Sequence, residues 1–348
     1  NQFLTFNYNQ YFLLDCGITT FQNLLNTQNT FLNVLIGGFG KVIDYVTTIP
    51  SNVYIKNLLM YNSPTFIHLY GSIANFIVKN VYAIVSLHNE ASINSFYVQN
   101  LYDFLHLHDY SYINSINIQL NKGQIDLYDY SYVNSINEIT DDGGIYLYDY
   151  SYVNSINVQT NEVGIYLNDY SYINSIYEIT DKVGIYLNNY SYVNLINVQT
   201  EEIGIYVNDN SYINSINIQI DNGGIYLVNN ASVNKINVQT ENLGLYLQSN
   251  GHVNSINVQT DNNGTYLGFS MSVDSLNIGT ENYAVFLQNN AYVNFLYIGN
   301  ATGKGKFPEI NITNGSLILF GNSYIKTVYI VNNYGGIYLY DNAVIENL

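Results

Sequence analysis

Arginine, tryptophan and long apolar runs are all missing from this sequence, and each absence bears on what the protein does. The chain has 9 basic residues, all of them lysine, against 26 acidic ones, and its formal net charge is −17. Binding to nucleic acid and to anionic membranes is driven by Lys and Arg, so this balance argues against both partners. No apolar run approaches the roughly 20 residues of a membrane-spanning helix. We therefore expect no nucleic-acid partner and no membrane span.

Cysteine and charged residues are equally scarce. Cys16 is the only cysteine, so no intrachain disulfide can form, and we expect a buried small side chain rather than a link between chains. Charged residues make up 10% of the chain, so solubility rests on Asn, Gln, Ser, Thr and the hydroxyls of 38 tyrosines. Such a neutral polar coat is typical of an extracellular structural protein. The composition predicts a secreted protein at the cell surface.

A 20-residue repeat organises most of what is present. The sequence Gly-Ile-Tyr-Leu at residues 144–147 returns at Gly164 and Gly184, and the repeat continues at Gly204. A fixed period in this range is typical of a solenoid, in which stacked repeats bury a shared core. Ile145 and Leu147 lie two apart, which is the period of a strand with one buried face. The sequence predicts an all-β parallel β-solenoid of about 15 coils, with coils about 4.8 Å apart.

Columns of apolar residues 20 apart define the predicted core. They start as Val53 with Ile73, Phe76 with Phe96, Leu58 with Val78, Leu105 with Ile125, and Ile67 with Leu87. Val133 and Ile136 are three apart, which breaks alternation and predicts a corner at Asn134-Ser135, with a second corner near residues 140–144. Asn at the first corner recurs from Asn94 to Asn254, and stacked amides can bond one another, so we interpret this column as a structural ladder.

The two ends of the sequence depart from the repeat. Residues 1–50 are predicted to form an N-terminal cap or docking arm, with a strand over residues 1–14 and a short helix within Thr20 to Ile36. Residues 51–348 form the predicted solenoid, with an inserted loop at 301–316 that is rich in Gly and Lys. The repeat resumes after the loop and leaves its last residues in the middle of a coil. We expect this coil to be an open, apolar edge.

An open edge at one end and a non-repeating arm at the other predict head-to-tail assembly, a heterologous contact that generates a filament. The residues that we expect at this contact are Phe3, Phe6, Tyr8, Ile337, Leu339, Ile345 and Leu348. The predicted partner is therefore another copy of the same chain. Neighbouring filaments and polysaccharide are the other partners that the sequence leaves open.

Three groups of side chains carry possible chemistry, and each has a structural interpretation beside it. Carboxylates recur at one corner, and the weak candidates there for a metal such as Ca²⁺ are Asp141, Asp181, Glu201, Asp221 and Glu241. The favoured interpretation is a solvated acidic surface that discourages sideways aggregation. His68, His88 and His108 are 20 apart, with His106 beside the last, and stacked imidazoles could bind a transition metal. Tyr and Asn continue the same column, so the favoured interpretation is an ordinary exposed column. We expect no cofactor, no resident metal and no catalytic residue.

Tyrosines form the longest outward columns, at Tyr110 to Tyr190, Tyr112 to Tyr212 and Tyr146 to Tyr266. Stacked aromatics stabilise a sheet, which is the favoured interpretation. The functional interpretation is a flat aromatic face that binds sugar rings, a surface or a neighbouring filament. Asn-x-Ser/Thr sequons mark glycosylation candidates at Asn189, Asn230, Asn263, Asn300, Asn311 and Asn314.

The apolar columns resemble those of β-solenoid proteins in general, and stacking of such units into fibres resembles curli-type subunits. The resemblance is one of architecture from residue 53 onward, since the curli spacing of Ser, Gln and Asn is not reproduced by Ser151-Tyr152-Val153-Asn154-Ser155. The leading hypothesis is a structural subunit of an extracellular filament. The alternative is a cell-surface adhesin that binds polysaccharide through tyrosine ladders. An enzyme is the least favoured class, because a chain without Arg has little with which to offset developing negative charge.

Overall fold

The computed structural model describes residues 12–14, 30–37, 45–61, 65–81, 83–101, 104–120, 123–247, 250–299, 316–330 and 336–348. Within these ranges every regular element is a β-strand, and there is no helix. The chain divides into two compact units, Asn1–Asn161 and Glu162–Leu348. Each unit is built from strands that pair in parallel with the strand one coil away. The predicted fold class, an all-β parallel β-solenoid, is therefore confirmed.

The strands of the first unit are β1 (Phe12–Leu14), β2 (Thr30–Gly37), β3 (Tyr45–Ile49), β4 (Tyr54–Tyr61), β5 (Thr65–Leu69), β6 (Ser72–Val81), β7 (Ala83–Leu87), β8 (Ser92–Leu101), β9 (Phe104–Leu107), β10 (Tyr112–Leu120), β11 (Gly123–Leu127) and β12 (Tyr132–Leu147). The boundary between the units falls within β13 (Tyr152–Leu167). The second unit contains β14 (Tyr172–Leu187), β15 (Tyr192–Val207), β16 (Tyr212–Leu227), β17 (Ser232–Leu247), β18 (His252–Leu267), β19 (Ser272–Leu287), β20 (Tyr292–Gly299), β21 (Ser316–Leu319), β22 (Tyr324–Ile330), β23 (Ile337–Leu339) and β24 (Val344–Asn347).

The regular repeat runs for about 11 turns, from the strand that starts at Ser72 to the one that starts at Tyr292. The predicted count of about 15 coils is higher, because it also included coils at both ends that differ from 20 residues in length. Paired asparagines are 24 residues apart between β2 and β4, 18 apart between β4 and β6, and 32 apart across the insertion before β22. Loops between coils absorb these differences, because the ladder needs only the paired strands to match.

The 18-residue step corrects the predicted register at the start of the solenoid. Ile55, not Val53, pairs with Ile73, and Met60, not Leu58, pairs with Val78. On the neighbouring strand Leu69, not Ile67, pairs with Leu87. The shift of two residues preserves strand parity, so Val53, Leu58 and Ile67 are buried all the same. Inward positions were thus predicted correctly while their partners were not.

The core consists of the inward side chains of each coil. In β15, Val193, Ile196, Ile205 and Val207 are all fully buried, and their partners in β16 are Ile, Ile, Ile and Leu. β-branched side chains suit a pleated surface that is covered on one face, which explains why Val and Ile dominate these columns. The buried columns lie on the same inward side in coil after coil, so each coil covers the apolar edge of the previous one.

The two predicted corners lie inside continuous strands. Pairing between β15 and β16 is interrupted at Asn194 and at Glu201, while the strand itself runs on from Tyr192 to Val207. These are the positions of the corner predicted at Asn134-Ser135 and of the one predicted near residues 140–144. The chain therefore bends at both places without leaving the sheet. A third bend, a tight turn before each long strand, completes the coil.

The predicted N-terminal helix is wrong where the structure describes it, whereas Phe12–Leu14, inside the predicted strand, forms β1. Residues 30–36, predicted as part of a helix, belong to β2, which pairs in parallel with β1 and β4. Their apolar spacing suits a helix, but partner strands on both sides satisfy the backbone of an extended segment, and this tertiary pairing overrides the local pattern. Residues 15–29 and most of the predicted strand over residues 1–14 lie outside the described residues, as does Cys16. The boundary at residue 50 stays a prediction.

The resumption of the repeat after the insertion is confirmed. Leu317 and Leu319 pair with Val285 and Leu287, and Ile325 pairs with Val293. Farther on, Ile337 and Leu339 pair with Leu317 and Leu319. The inserted loop itself, residues 301–315, lies outside the described residues. Only Ser316, at its predicted end, is described, and it begins β21.

Candidate functional site

A tight turn with unusual backbone recurs once in each regular coil. In the coil around Asn189, the amide of Ser191 donates to the carbonyl of Asn188, and the two central residues Asn189 and Tyr190 have φ of 51° and 63°. Two consecutive positive φ angles are the pattern of a type I′ turn, for which Asn, Asp and Gly are the suitable residues. The first central residue is Asp or Asn in most coils, as this geometry requires.

The second central residue breaks that rule in seven of the described coils: it is Tyr in five of them, Glu at residue 90 and Ser at residue 270. The five tyrosines, which we call the Tyr ridge, are Tyr110, Tyr130 and Tyr150 in the first unit and Tyr170 and Tyr190 in the second, with φ between 61° and 64°. They are 62%, 50%, 49%, 49% and 54% exposed. In the first unit their rings stack with centroids 5.1 and 4.9 Å apart and planes within 7° of parallel. The ridge is an exposed row of ring edges, since each ring covers the face of the next.

The other tyrosine columns are packed against the solenoid. The hydroxyls of Tyr112 and Tyr132 donate to the side-chain oxygens of Asn114 and Asn134 on their own strands. On another side of the coil, Tyr186 stacks between Tyr166 and Tyr206, at centroid distances of 4.7 and 4.9 Å. Burial raises the pKa of the Tyr186 hydroxyl. These columns support the structural interpretation of stacked aromatics.

A glycine two residues before each tyrosine of the column from Tyr146 to Tyr226 has a steric function. A Cβ on Gly184 would lie 2.8 Å from Cε2 of Tyr186, and one on Gly164 would lie 2.6 Å from Cε2 of Tyr166. The ring lies flat over the glycine, where any other residue would displace it. The glycine column therefore follows from the tyrosine column, which sequence reasoning missed when it assigned these glycines to a corner.

Asparagine ladders run along both units, as predicted. The Asn134 side-chain amide donates to Asn114, and that of Asn154 donates to Asn134, at 3.2 and 3.1 Å. In the second unit the same ladder joins Asn174 to Asn254, ending at donor–acceptor distances of 2.9 and 2.8 Å. A second ladder, not predicted, runs from Asn197 to Asn277. Each amide donates to one neighbour and accepts from the other, so a buried or half-buried row of polar groups is satisfied.

The acidic column at the turn is interleaved with amides in the second unit. The Asn189 side-chain amide donates to an Asp169 carboxylate oxygen at 3.0 Å, and Asn229 donates to Asp209 at 3.1 Å. Asn therefore separates the carboxylates of Asp169 and Asp209 by one coil. In this column Asn189 lies between Asp169 and Asp209, so the sequence itself shows that these two aspartates are not on adjacent coils.

The weak metal candidates are placed only in part. Asp181 and Glu201 are exposed, and the side chains of Asp141, Asp221 and Glu241 lie outside what the structure describes. In the described part of the chain, no group of three or more His, Cys, Asp or Glu side chains is arranged to hold a metal ion. The prediction at these five positions stays untested.

Four histidines gather on one outward side of the first unit, in a different arrangement from the predicted column. His68 pairs with Ser86 rather than His88, because of the 18-residue step. Its Nδ1 still lies 3.1 Å from Nε2 of His88, whose ring stacks on that of His108. His106 Nδ1 lies 3.3 Å from an Asp126 carboxylate oxygen. Burial lowers the pKa of His106 and raises that of Asp126.

The last described coil exposes the columns that every earlier coil buries. Leu339 is 48% exposed, whereas its partner Leu319 is fully buried, and Leu348 is 82% exposed. Ile337 and Ile345, partners of the buried Leu317 and Ile325, are partly exposed. Phe3, Phe6 and Tyr8, the predicted partners of this edge, lie outside the described residues.

Two glycosylation candidates have described side chains. Asn230 is exposed, whereas the Asn189 side chain is half-buried and donates to Asn168 and Asp169. A glycan on Asn189 would have to displace both hydrogen bonds. The side chain of Asn263 and residues Asn300, Asn311 and Asn314 are outside the described part of the chain, so glycosylation stays a prediction.

Comparison with known proteins gives one similarity. Over 84 residues the chain is 48% identical to "Uncharacterized protein 417" of Sulfolobus islandicus rod-shaped virus 1. The match covers 24% of this chain and 19% of the relative, so the chain spans about a fifth of the relative's length. No family model and no solved structure matches the chain. The part that the structure describes contains no helix with the length and apolarity needed to cross a membrane. A β-solenoid with tyrosine ladders fits a structural or surface role.

Proposed function

We propose that this protein is a structural subunit of an extracellular filament in which solenoids stack end to end. The observation that carries the proposal is the repetition of one inward apolar pattern, which lets any coil cover the apolar columns of another. Leu339 and Leu348 continue columns whose earlier members are fully buried or nearly so, and they are 48% and 82% exposed. Exposed core columns on a sheet edge are a template for another strand. A covering coil from a second copy would bury them.

A second copy suits this edge because every coil of the chain repeats the same pattern. Inward Ile, Val and Leu recur at a 20-residue spacing, so the first coils of one copy offer the partner columns that the last coil of another copy lacks. Contact between different ends is heterologous and continues indefinitely. The N-terminal residues Phe3, Phe6 and Tyr8 are the proposed docking side chains of the incoming copy.

The fold is typical of structural proteins, and we propose no catalytic role. Secretion and a cell-surface location belong to the same proposal. Both rest on composition, in which neutral polar residues replace charge.

The alternative, an adhesin that stacks sugar rings on tyrosine, has weaker support. Carbohydrate stacking uses the face of an aromatic ring, but the rings of the Tyr ridge are stacked on one another within 7° of parallel. The faces between neighbouring rings are therefore covered, and these rings expose mainly their edges and hydroxyls. A polysaccharide would have to bind those edges.

Charge placed on the apolar edge tests the filament. Leu339→Lys and Ile345→Lys should leave the fold intact, since both side chains are already partly exposed. They should abolish fibres in negative-stain electron microscopy, because a second coil would have to bury an unpaired ammonium. Tyr329→Lys is the matched control, since Tyr329 is 58% exposed on the outer surface of the preceding coil.

The control should assemble like the unmodified protein. Fibres that form equally well with Lys at 339 and 345 would show that this edge is not the contact. Folded particles without fibres at any concentration of unmodified protein would reject end-to-end assembly altogether.

A further inference from the structure

The backbone conformation of the Tyr ridge costs free energy, and the contacts of the ridge within one chain do not fully offset this cost. An L-residue other than Asn, Asp or Gly at positive φ is disfavoured by roughly 1–2 kcal/mol. The same turn position is Asn at residues 210, 230, 250 and 290, Glu at residue 90 and Ser at residue 270, all at positive φ. The chain therefore contains the favourable residue for this position and uses Tyr instead in five coils. Residues held in strained conformations cluster at binding and switch sites.

Burial does not recover that cost within one copy of the chain. All five rings are about half exposed, whereas the packed Tyr112 and Tyr132 are largely covered and donate hydrogen bonds to Asn114 and Asn134. Stacking between neighbouring ridge tyrosines offsets part of the free-energy cost of the positive φ. In each unit the remaining surface is a row of aromatic edges, and an exposed aromatic patch of this kind marks an interaction site.

The geometry points to a second copy of this chain as the partner. Ring centroids along the ridge are 5.1 and 4.9 Å apart in the first unit and 5.0 Å apart in the second. The ring edges therefore repeat with the spacing of the coils, and a partner with the same spacing can contact each of them. Another β-solenoid does so, as in the dry, interdigitated contacts between stacked sheets. We propose that the Tyr ridge joins copies side by side.

The size of the ridge sets how strong this contact is. A half-exposed tyrosine presents on the order of 100 Å². The ridge of one unit therefore presents a few hundred Å², below the roughly 800 Å² per partner of a stable interface. Two isolated copies should pair weakly. Copies arrayed along a filament repeat the contact many times, so filaments should pair strongly. In this respect the inference rests on the proposed end-to-end assembly.

Charge beside the ridge predicts how salt affects the contact. Asp109, Asp129 and Asp149, each one residue before a ridge tyrosine, are exposed. Two ridges brought together oppose these carboxylates, and salt screens their repulsion. Lateral pairing should therefore increase with ionic strength.

The test replaces all five ridge tyrosines with Asn, the residue that the chain itself uses at this turn position. Because Asn suits positive φ, the variant should fold at least as stably as the unmodified protein. Electron microscopy of unmodified fibres should show pairs or bundles that increase with salt, and the variant should give single fibres. Tyr130→Asn alone, which disturbs the fold least, should reduce bundling partially. The matched control is Tyr112→Ser with Tyr132→Ser and Tyr152→Ser, because that column is Ser at 232 and 272.

Single fibres in both proteins, or bundles in both, would overturn the ridge contact while leaving end-to-end assembly standing. If no fibres form, sedimentation of the chain at about millimolar concentration decides. Side-by-side dimers that the Asn variant lacks support the contact, and monomers throughout overturn it. Binding of a soluble β-linked glucan to the unmodified chain, lost in the Asn variant without any self-association, would also overturn it.

Discussion

At the scale of single residues, glycine and tyrosine two positions apart act as a pair. Tyr186 lies flat over Gly184 and stacks on both neighbouring rings. Gly→Ala at an unstrained extended position usually stabilises a protein by about 0.4–1 kcal/mol, through the unfolded state. Here the added Cβ would displace the ring, so the sign should reverse.

We therefore predict that Gly184→Ala lowers the free energy of unfolding by about 1 kcal/mol, a typical cost for displacing a packed group. In a Tyr186→Ser background the same change should be neutral or stabilising. Denaturant unfolding of the four proteins in this double-mutant cycle measures the coupling. Equal effects in both backgrounds would show that the glycine is there for another reason.

The histidine group makes the first unit sensitive to acid. Burial, together with the neighbouring His108 and His68, lowers the pKa of His88 below 6.5. A base with a lowered pKa takes up its proton more readily in the unfolded chain, so stability falls as pH drops through 6.5 toward the folded-state value. The titratable groups that act on His88 are His68, His106, His108 and Asp109. Asp126 acts on the neighbouring His106. Burial raises the pKa of Asp126, so this carboxyl adds stability as the pH falls toward 3.8, which is opposite to the effect of His88.

The predicted outcome is a fall in the melting temperature between about pH 7.5 and about pH 5.5 that is smaller in variants at His88. His88→Asn removes the charge, and His88→Tyr removes it while keeping a stacked ring, as Tyr128 and Tyr148 do in the same column. Thermal melts at several pH values distinguish the loss of the charge from the loss of the stacked ring. An unchanged slope in both variants would contradict the assignment.

At the scale of the coil, the 20-residue period is enough to predict the inward residues and the bends. It does not predict features that depend on an irregular coil or on partner strands. Inward residues such as Ile196 and both bends follow from spacing alone. The register of His68 does not, because the shorter coil before Ser72 depends on the length of one loop. Strand β2 was missed because its helical spacing is overridden by partner strands, which no local pattern contains. The exposed state of the Tyr ridge, in contrast to the packed Tyr112 column, required the turn geometry.

Equivalence of the coils can be tested by deletion. Removing the 20 residues 197–216 joins Ile196 to Asn217 and restores the repeat. The shortened protein should fold, with a small loss of stability from one missing coil interface. Removing the 19 residues 197–215 joins Ile196 to Ile216 and turns the following side chains to the opposite face. Circular dichroism and cooperative melting should survive the first deletion and be lost in the second.

Retention of the fold in the 19-residue deletion would mean that the register is not set by the inward columns. Loss of the fold in the 20-residue deletion would mean that the coils are not interchangeable. Either result would contradict the repeat as the organising feature of the second unit.

At the scale of the whole molecule, one type of contact explains both the fold and the proposed assembly. Inside the chain each coil covers the apolar columns of its neighbour, and the last described coil, with Leu339 and Leu348 exposed, offers the same columns outward. In the proposed assembly, end-to-end stacking would extend the solenoid from chain to chain. Lateral pairing through the Tyr ridge would then join filaments already formed.

Fibre diffraction from aligned assemblies of the purified protein tests the central claim most directly. If solenoids stack end to end, the coil spacing runs along the fibre, and a strong reflection at about 4.8 Å should lie on the fibre axis. Leu339→Lys should remove the fibres and the reflection together. Fibres with the 4.8 Å spacing across the axis, or only isolated particles at every concentration, would contradict the account.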